Sequence, residues 1–174
     1  MFSIEGSKNN FHIFATNLEN NPSLKDSIKP FNLILSDNNG KAEIQNHVSG
    51  MNKVRNYNDL PSTNYITVNT TTLRNFCKNN SIKKIDFIKI DIEGSELKLL
   101  DDLIYLPIKS IQIELIKDNL IHENINFLKK ISTKYRFYNF ENHAQIKVTK
   151  IIDGLVKHFK NKNTIDLFLI KKND

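Results

Sequence analysis

The run Lys84-Ile85-Asp86-Phe87-Ile88-Lys89-Ile90-Asp91-Ile92 passes into Glu93-Gly94-Ser95-Glu96 and then into leucines at helical spacing. No other stretch restricts the fold as strongly, because a strand that meets a glycine turn and then a helix is the building step of an α/β sheet. Apolar residues fill Ile85 to Ile92 on both parities, so the strand is expected to be buried on both faces, as in a parallel sheet covered by helices. Three carboxylates, Asp91, Glu93 and Glu96, sit at the junction. Open α/β sheets bind their ligands beyond the carboxyl ends of the strands, which places these acids in a crevice.

The flanking segments alternate strand and helix. Phe2 to Glu5 reads as a strand end, and Ser7 can cap a helix with Phe11, Phe14, Ala15 and Leu18 on one side. Phe31 to Leu35 is a short strand, and Asn38-Asn39-Gly40 predicts a turn into a hairpin strand at Lys41 to Gln45. Residues 46 to 63 look irregular, Tyr65 to Asn69 reads as a strand, and Thr72 to Asn79 as a short helix with Leu73, Phe76 and Cys77 inward. After the junction, Ser95 to Tyr105 is predicted helical with Leu97, Leu100, Leu103 and Ile104 buried, and Pro107 precedes a strand over Ser110 to Leu115. A helix over Asn119 to Ser132 buries Ile121, Ile125, Leu128 and Ile131. Strands at Tyr135 to Phe140 and Thr164 to Ile170 close the sheet, with a mobile loop expected at Lys157 to Asn163. The prediction is one domain over residues 1 to 174, an α/β doubly wound and mostly parallel sheet flanked by helices.

Composition narrows the function. The 25 Lys and Arg against 19 Asp and Glu leave a charge of +6, but the basic residues are spread rather than gathered with stacking aromatics, so no nucleic-acid partner is expected. A single cysteine, Cys77, offers neither an internal disulfide nor a cysteine metal site, in keeping with a reducing compartment. Neither a signal-like start nor a run near ~18 apolar residues is present, so no membrane partner and a soluble, cytoplasmic protein are expected. The acids do not fit a calcium loop, since Gly94 comes too early and leucines follow, and the histidines His12, His47, His122, His143 and His158 show no paired ligand spacing. No metal site is expected.

Ile88-Lys89-Ile90-Asp91-Ile92-Glu93-Gly94-Ser95-Glu96 closely resembles the motif of FkbM-type methyltransferases. The likeness continues upstream through Thr70-Thr71-Thr72-Leu73-Arg74-Asn75-Phe76, Leu35 to Glu43 and Phe2 to Glu5, spanning roughly residues 1 to 116. It implies a Rossmann-like sheet of order 3-2-1-4-5-7-6 and S-adenosylmethionine as cofactor. It further implies that Glu5 accepts the ribose hydroxyls, that Ser36 and Asp37 lie where the fold touches adenine, and that Asp91 serves the cofactor and the catalytic crevice. Glu93 is then a catalytic and acceptor-side acid, and Glu96 a second acceptor-side acid. The expected acceptor is an oxygen of a sugar, glycan or small metabolite.

One part of the family pattern has no match. The five glycines, Gly6, Gly40, Gly50, Gly94 and Gly154, form no glycine-rich loop, and the Asp-x-Gly-Ala-Asn-x-Gly segment of the family would fall before Met1. The sheet is therefore expected to be incomplete at its first strand, which in the family lies between the strands that here end at Glu5 and Asp91. A fragment or mis-started frame, closure of the flanking strands on each other, or a strand from a partner chain would each resolve the gap; the first is favoured. Cofactor binding by these residues alone is expected to be weak or absent. The competing reading is a catalytically inactive remnant or binding module of the same fold.

Overall fold

In the computed structural model, residues 1–45, 54, 65–92, 95–117, 121–138 and 143–172 are described, and they divide into two units, Met1–Leu73 and Arg74–Asp174. In the first unit, β1 (Phe2–Ile4) runs into a turn whose Ser7 is fully buried and accepts the Asn10 N–H at 3.4 Å, capping α1 (Lys8–Glu19). Leu18 is buried on this helix, and Phe11, Phe14 and Ala15 are half-buried on the side the spacing predicted. After α2 (Pro22–Lys25), β2 (Lys29–Phe31) pairs parallel with β1, placing Phe2 against the Phe31 ring with centroids 6.0 Å apart.

The expected hairpin does not form. Although β3 (Ile34–Leu35) and β4 (Gly40–Gln45) flank the Asn-Asn-Gly turn, β5 (Tyr65–Thr71) lies between them, parallel to β3 and antiparallel to β4. The turn itself explains this, because Asn39 turns its side-chain oxygen onto the Thr71 hydroxyl at 3.0 Å and the Thr72 N–H at 3.2 Å, tying the loop to the end of β5. Ile34, Ile44 and Val68, one from each strand, then form a small apolar core with Ala42, Val54 and Ile66 against it.

The second unit holds a five-stranded sheet. Following α3 (Leu73–Asn79), β6 (Ile85–Ile90) pairs parallel with β7 (Ile108–Ile116). Between them lie a 3-10 turn (Glu96–Leu99) and α4 (Leu100–Tyr105). The remaining elements are α5 (Ile121–Ile131), β8 (Tyr135–Tyr138), β9 (Gln145–Ile146), α6 (Val148–Asn161) and β10 (Thr164–Lys171), and the sheet order is β6-β7-β10-β8-β9.

Three expectations are corrected. The protein is α/β, but its sheets are mixed rather than mostly parallel: β10 runs antiparallel to both β7 and β8, and β9 is antiparallel to β8. Second, β6 is not buried on both faces. Among the described residues it has one neighbour, β7, and Phe87 is 53% exposed while Ile90 is 3% exposed. The neighbouring strands show the same alternation, with Ile111, Ile113, Leu115, Leu167 and Leu169 buried and Ser110, Gln112, Glu114 and Phe168 half-exposed. Third, Lys157 to Asn163 is mostly helix: α6 sets Ile151, Leu155 and Phe159 on one buried stripe at four-residue spacing.

Smaller shifts follow from local winding. Because the chain turns through a 3-10 segment before α4, Leu99 and Leu103 become the buried leucines, and Leu97, Leu100 and Ile104 are half-buried. On α5, Ile121 is exposed, whereas Phe127 and Asn124 turn inward with Leu128 and Ile131; Asn124 Nδ2 donates to the Ile116 carbonyl at 3.3 Å. Two lysines satisfy helix ends. Lys134 Nζ donates to the Ile104 and Leu106 carbonyls at the end of α4, and Lys172 Nζ to the Ser132 and Thr133 carbonyls beyond α5. Buried Tyr135 donates its hydroxyl toward the Leu103 and Ile108 carbonyls at 3.0 and 3.2 Å, and desolvation pushes its pKa up to about 12.

Candidate functional site

The residues expected at a site fall in both units. In the first, Glu5 follows β1, with its N–H donated to the Phe31 carbonyl at 3.0 Å. Its Oε1 accepts the Ser7 N–H at 2.7 Å, which fixes the carboxylate over the turn rather than leaving it to swing in solvent. Asn32 Nδ2 clamps the same turn from the side, donating to the carbonyls of Glu5 at 2.8 Å and Gly6 at 3.1 Å. Gly6 permits the close approach, since a Cβ there would lie 2.7 Å from Ile34 Cγ1. The acid thus stands beside β3, which leads two residues later into Ser36 and Asp37.

Ser36 is anchored by donating its N–H to the Thr71 carbonyl at 3.0 Å, and its hydroxyl donates to Asp37 Oδ1 at 3.0 Å. Asp37 is exposed at the end of β3. This local bond uses one carboxylate oxygen of Asp37, and a carboxylate has acceptor capacity beyond a single hydrogen bond.

In the second unit, the expected residues lie past β6. Asp91 is the first residue beyond the strand, its side chain 40% exposed, and its Oδ2 lies 3.0 Å from Lys89 Nζ. That hydrogen bond, ahead of all other causes, raises the lysine's pKa. Glu96 is fully buried, and its Oε1 accepts the Ile92 N–H at 3.2 Å, four residues back, so it braces the turn from inside. Ser95 forms no cap hydrogen bond to the turn that follows it. Glu93 lies outside the described residues.

A fourth acid escaped the sequence reading. Register places Ile90 of β6 opposite Ile113 of β7, and Asp166 of β10 opposite Glu114, so Asp91, Glu114 and Asp166 form one row across three strands. Desolvation first, then the neighbouring Asp91 and Asp166 charges, raises the pKa of Glu114. Nothing in the local sequence Ile111-Gln112-Ile113-Glu114-Leu115 marks it, because its meaning comes from strands distant in the chain. Alternation of apolar and polar residues there was the only available signal.

In the first unit, the carboxylates of Glu5 and Asp37 are of a type that suits ligand hydroxyls and amines; in the second, the acids around Asp91 suit a positive centre. Among the described residues no group of three or more His, Cys, Asp or Glu side chains is arranged to hold a metal ion, and no helix is long and apolar enough to cross a membrane. No curated protein and no solved structure matches the chain. The family model described as the methyltransferase FkbM domain matches residues 1–135, which takes in Glu5, Ser36, Asp37, Asp91, Glu93, Glu96 and Glu114. With most of its length under that match, the chain belongs to the FkbM methyltransferase family.

Proposed function

We propose that the protein transfers a methyl group from S-adenosylmethionine to an oxygen of a sugar, glycan or small metabolite. The observation that carries this reading is the Glu5 carboxylate, fixed over a strand-to-helix turn by the Ser7 N–H at 2.7 Å within the region that the family matches. When bound, S-adenosylmethionine supplies an electrophilic methyl on a sulfonium cation. Glu5 accepts the ribose hydroxyls, and Ser36 with Asp37 receives the adenine amine. Asp91 provides negative charge beside the positive centre, in a site where such preorganised charge is more effective than in water. Glu93 takes the proton of the acceptor hydroxyl. Glu96, turned back on the Ile92 N–H, contributes by bracing the turn that carries Glu93.

Titration of the isotope-labelled chain with S-adenosylhomocysteine, read by amide NMR, tests the reading. Saturable shifts at Gly6, Ser36 and Ile92 are expected, weak in affinity because no glycine-rich loop is among the chain's five glycines, and lost in Glu5→Ala. A flat titration overturns it. The alternative, an inactive remnant or binding module, is favoured by that same lack of a glycine-rich loop; saturable binding without transfer of labelled methyl to any hydroxyl acceptor would select it.

A further inference from the structure

One face of the first unit's three-stranded sheet holds a hydroxyl that its apolar core does not use. Register sets Ile34 of β3, Thr70 of β5 and Gly40 of β4 in one row, and Val68 with Ala42 and Ile66 with Ile44 fill the rows behind it on the same face. Thr70 is 7% exposed, and its Oγ1 is buried with no hydrogen-bond partner among the described residues. Valine would fill that place without loss, whereas a buried hydroxyl forfeits its hydration unless something bonds it. Thr71 shows the contrast, since its hydroxyl lies on the opposite face and donates to Asn39 Oδ1 at 3.0 Å. Gly40 leaves room beside Thr70: it is exposed, and a Cβ there would lie 3.9 Å from Thr70 Oγ1 with no other described atom within 4 Å. A ligand atom can therefore approach the hydroxyl over Gly40.

The same row adjoins the first-unit residues that the proposed function gives to the ligand. The Glu5–Ser7 turn lies over this face, because a Cβ on Gly6 would be 2.7 Å from Ile34 Cγ1 and 3.1 Å from Ile44 Cδ1. Two residues past Ile34, Ser36 continues the pairing of β3 through its N–H to the Thr71 carbonyl at 3.0 Å, and by alternation its side chain shares the face of Ile34 and Thr70. The loop from Ser36 then returns to Gly40 itself. We propose that Thr70 is a further binding residue of this unit, its hydroxyl donating to a ring nitrogen of the adenine whose amine Ser36 and Asp37 receive. The identity of the ligand rests on the function proposed above; the unused hydroxyl does not. An ionised Asp37 only accepts and so serves the amine, whereas a ring nitrogen calls for a donor, which Thr70 supplies.

Thr70→Val keeps the shape of the side chain and deletes the hydroxyl, while Thr70→Ser keeps the hydroxyl. Two measurements on the whole chain separate a binding role from a structural one. In thermal unfolding without ligand, Thr70→Val should melt at or above the temperature of the unsubstituted chain, because no hydrogen bond is lost. A lower melting temperature shows that the hydroxyl has a partner within the fold and overturns the proposal. In titration with S-adenosylhomocysteine, the affinity of Thr70→Val should fall about fivefold, the effect of one neutral hydrogen bond, and recover in Thr70→Ser. A valine variant that binds as tightly as the unsubstituted chain, or a loss that serine does not recover, defeats the Thr70 contact and leaves the proposed function standing. A flat titration of the unsubstituted chain defeats the proposed function itself, and the contact with it.

Discussion

Ile-Glu-Gly-Ser occurs twice in this chain, at 4–7 and at 92–95, each time where a strand gives way to a helical segment. The two copies solve the junction differently. At the first, Glu5 takes the N–H of Ser7, and Ser7, wholly buried, caps a helix of 12 residues. At the second, Ser95 forms no cap bond, the chain winds into a four-residue 3-10 turn, and buried Glu96 reaches back to the Ile92 N–H. The first glutamate is bound into its own turn, while at the second copy the next residue, Glu96, reaches back to the Ile92 N–H. The contrast teaches that the residue after the motif, Lys8 in one case and Glu96 in the other, decides which group satisfies the turn's backbone.

Breaking the tighter turn should have the largest effect. Gly6→Val forces a β-branched side chain toward Ile34 Cγ1, where even a Cβ would be at 2.7 Å, and should cost roughly 3 kcal/mol in chemical denaturation. Next, Glu96→Ala leaves the Ile92 N–H without its acceptor and hollows a fully buried site, about 2 kcal/mol by the same measurement. Ser7→Ala removes the cap of α1 and should lower stability by ~1 kcal/mol, whereas Ser95→Ala should stay within ~0.5 kcal/mol, as no cap bond is lost. Equal costs for the two serines would erase the comparison. The smallest effect is a slope. Because the folded chain holds the Glu114 proton more tightly than an unfolded chain does, stability is highest below the ordinary glutamate range and declines as pH rises through the raised folded value. In Glu114→Gln that decline disappears from thermal melts taken across acid to neutral pH.

Much of this was legible because local chemistry and fold agree. Ser7 as a cap, the inward Leu73, Phe76 and Cys77 of α3, and the strand entering Asp91 are each fixed by neighbours a few residues away. What failed depended on distant partners. Both parities of β6 are apolar, so periodicity could not tell that Phe87 faces outward. Asn-Asn-Gly has hairpin chemistry, yet β5 claims the place beside β3 and β4. In α6 the stripe Ile151, Leu155, Phe159 is thinned by lysines, and sequence reading took the second half for a loop. Of the site, the acids at strand ends were readable as motif residues; Glu114 emerged only once three strands were in register.

Among the described residues β6 pairs with β7 alone and turns Phe87 outward, and this carries a practical consequence: such a strand can template identical chains, but Lys84 pairs with Asp86 at 2.8 Å and Lys89 with Asp91 at 3.0 Å, so charged side chains bracket Phe87 on both sides. These exposed pairs add little to folding free energy. Their worth is colloidal: they act as gatekeepers, and a preparation in which both lysines are acylated would be expected to clump through that rim while each molecule remains folded.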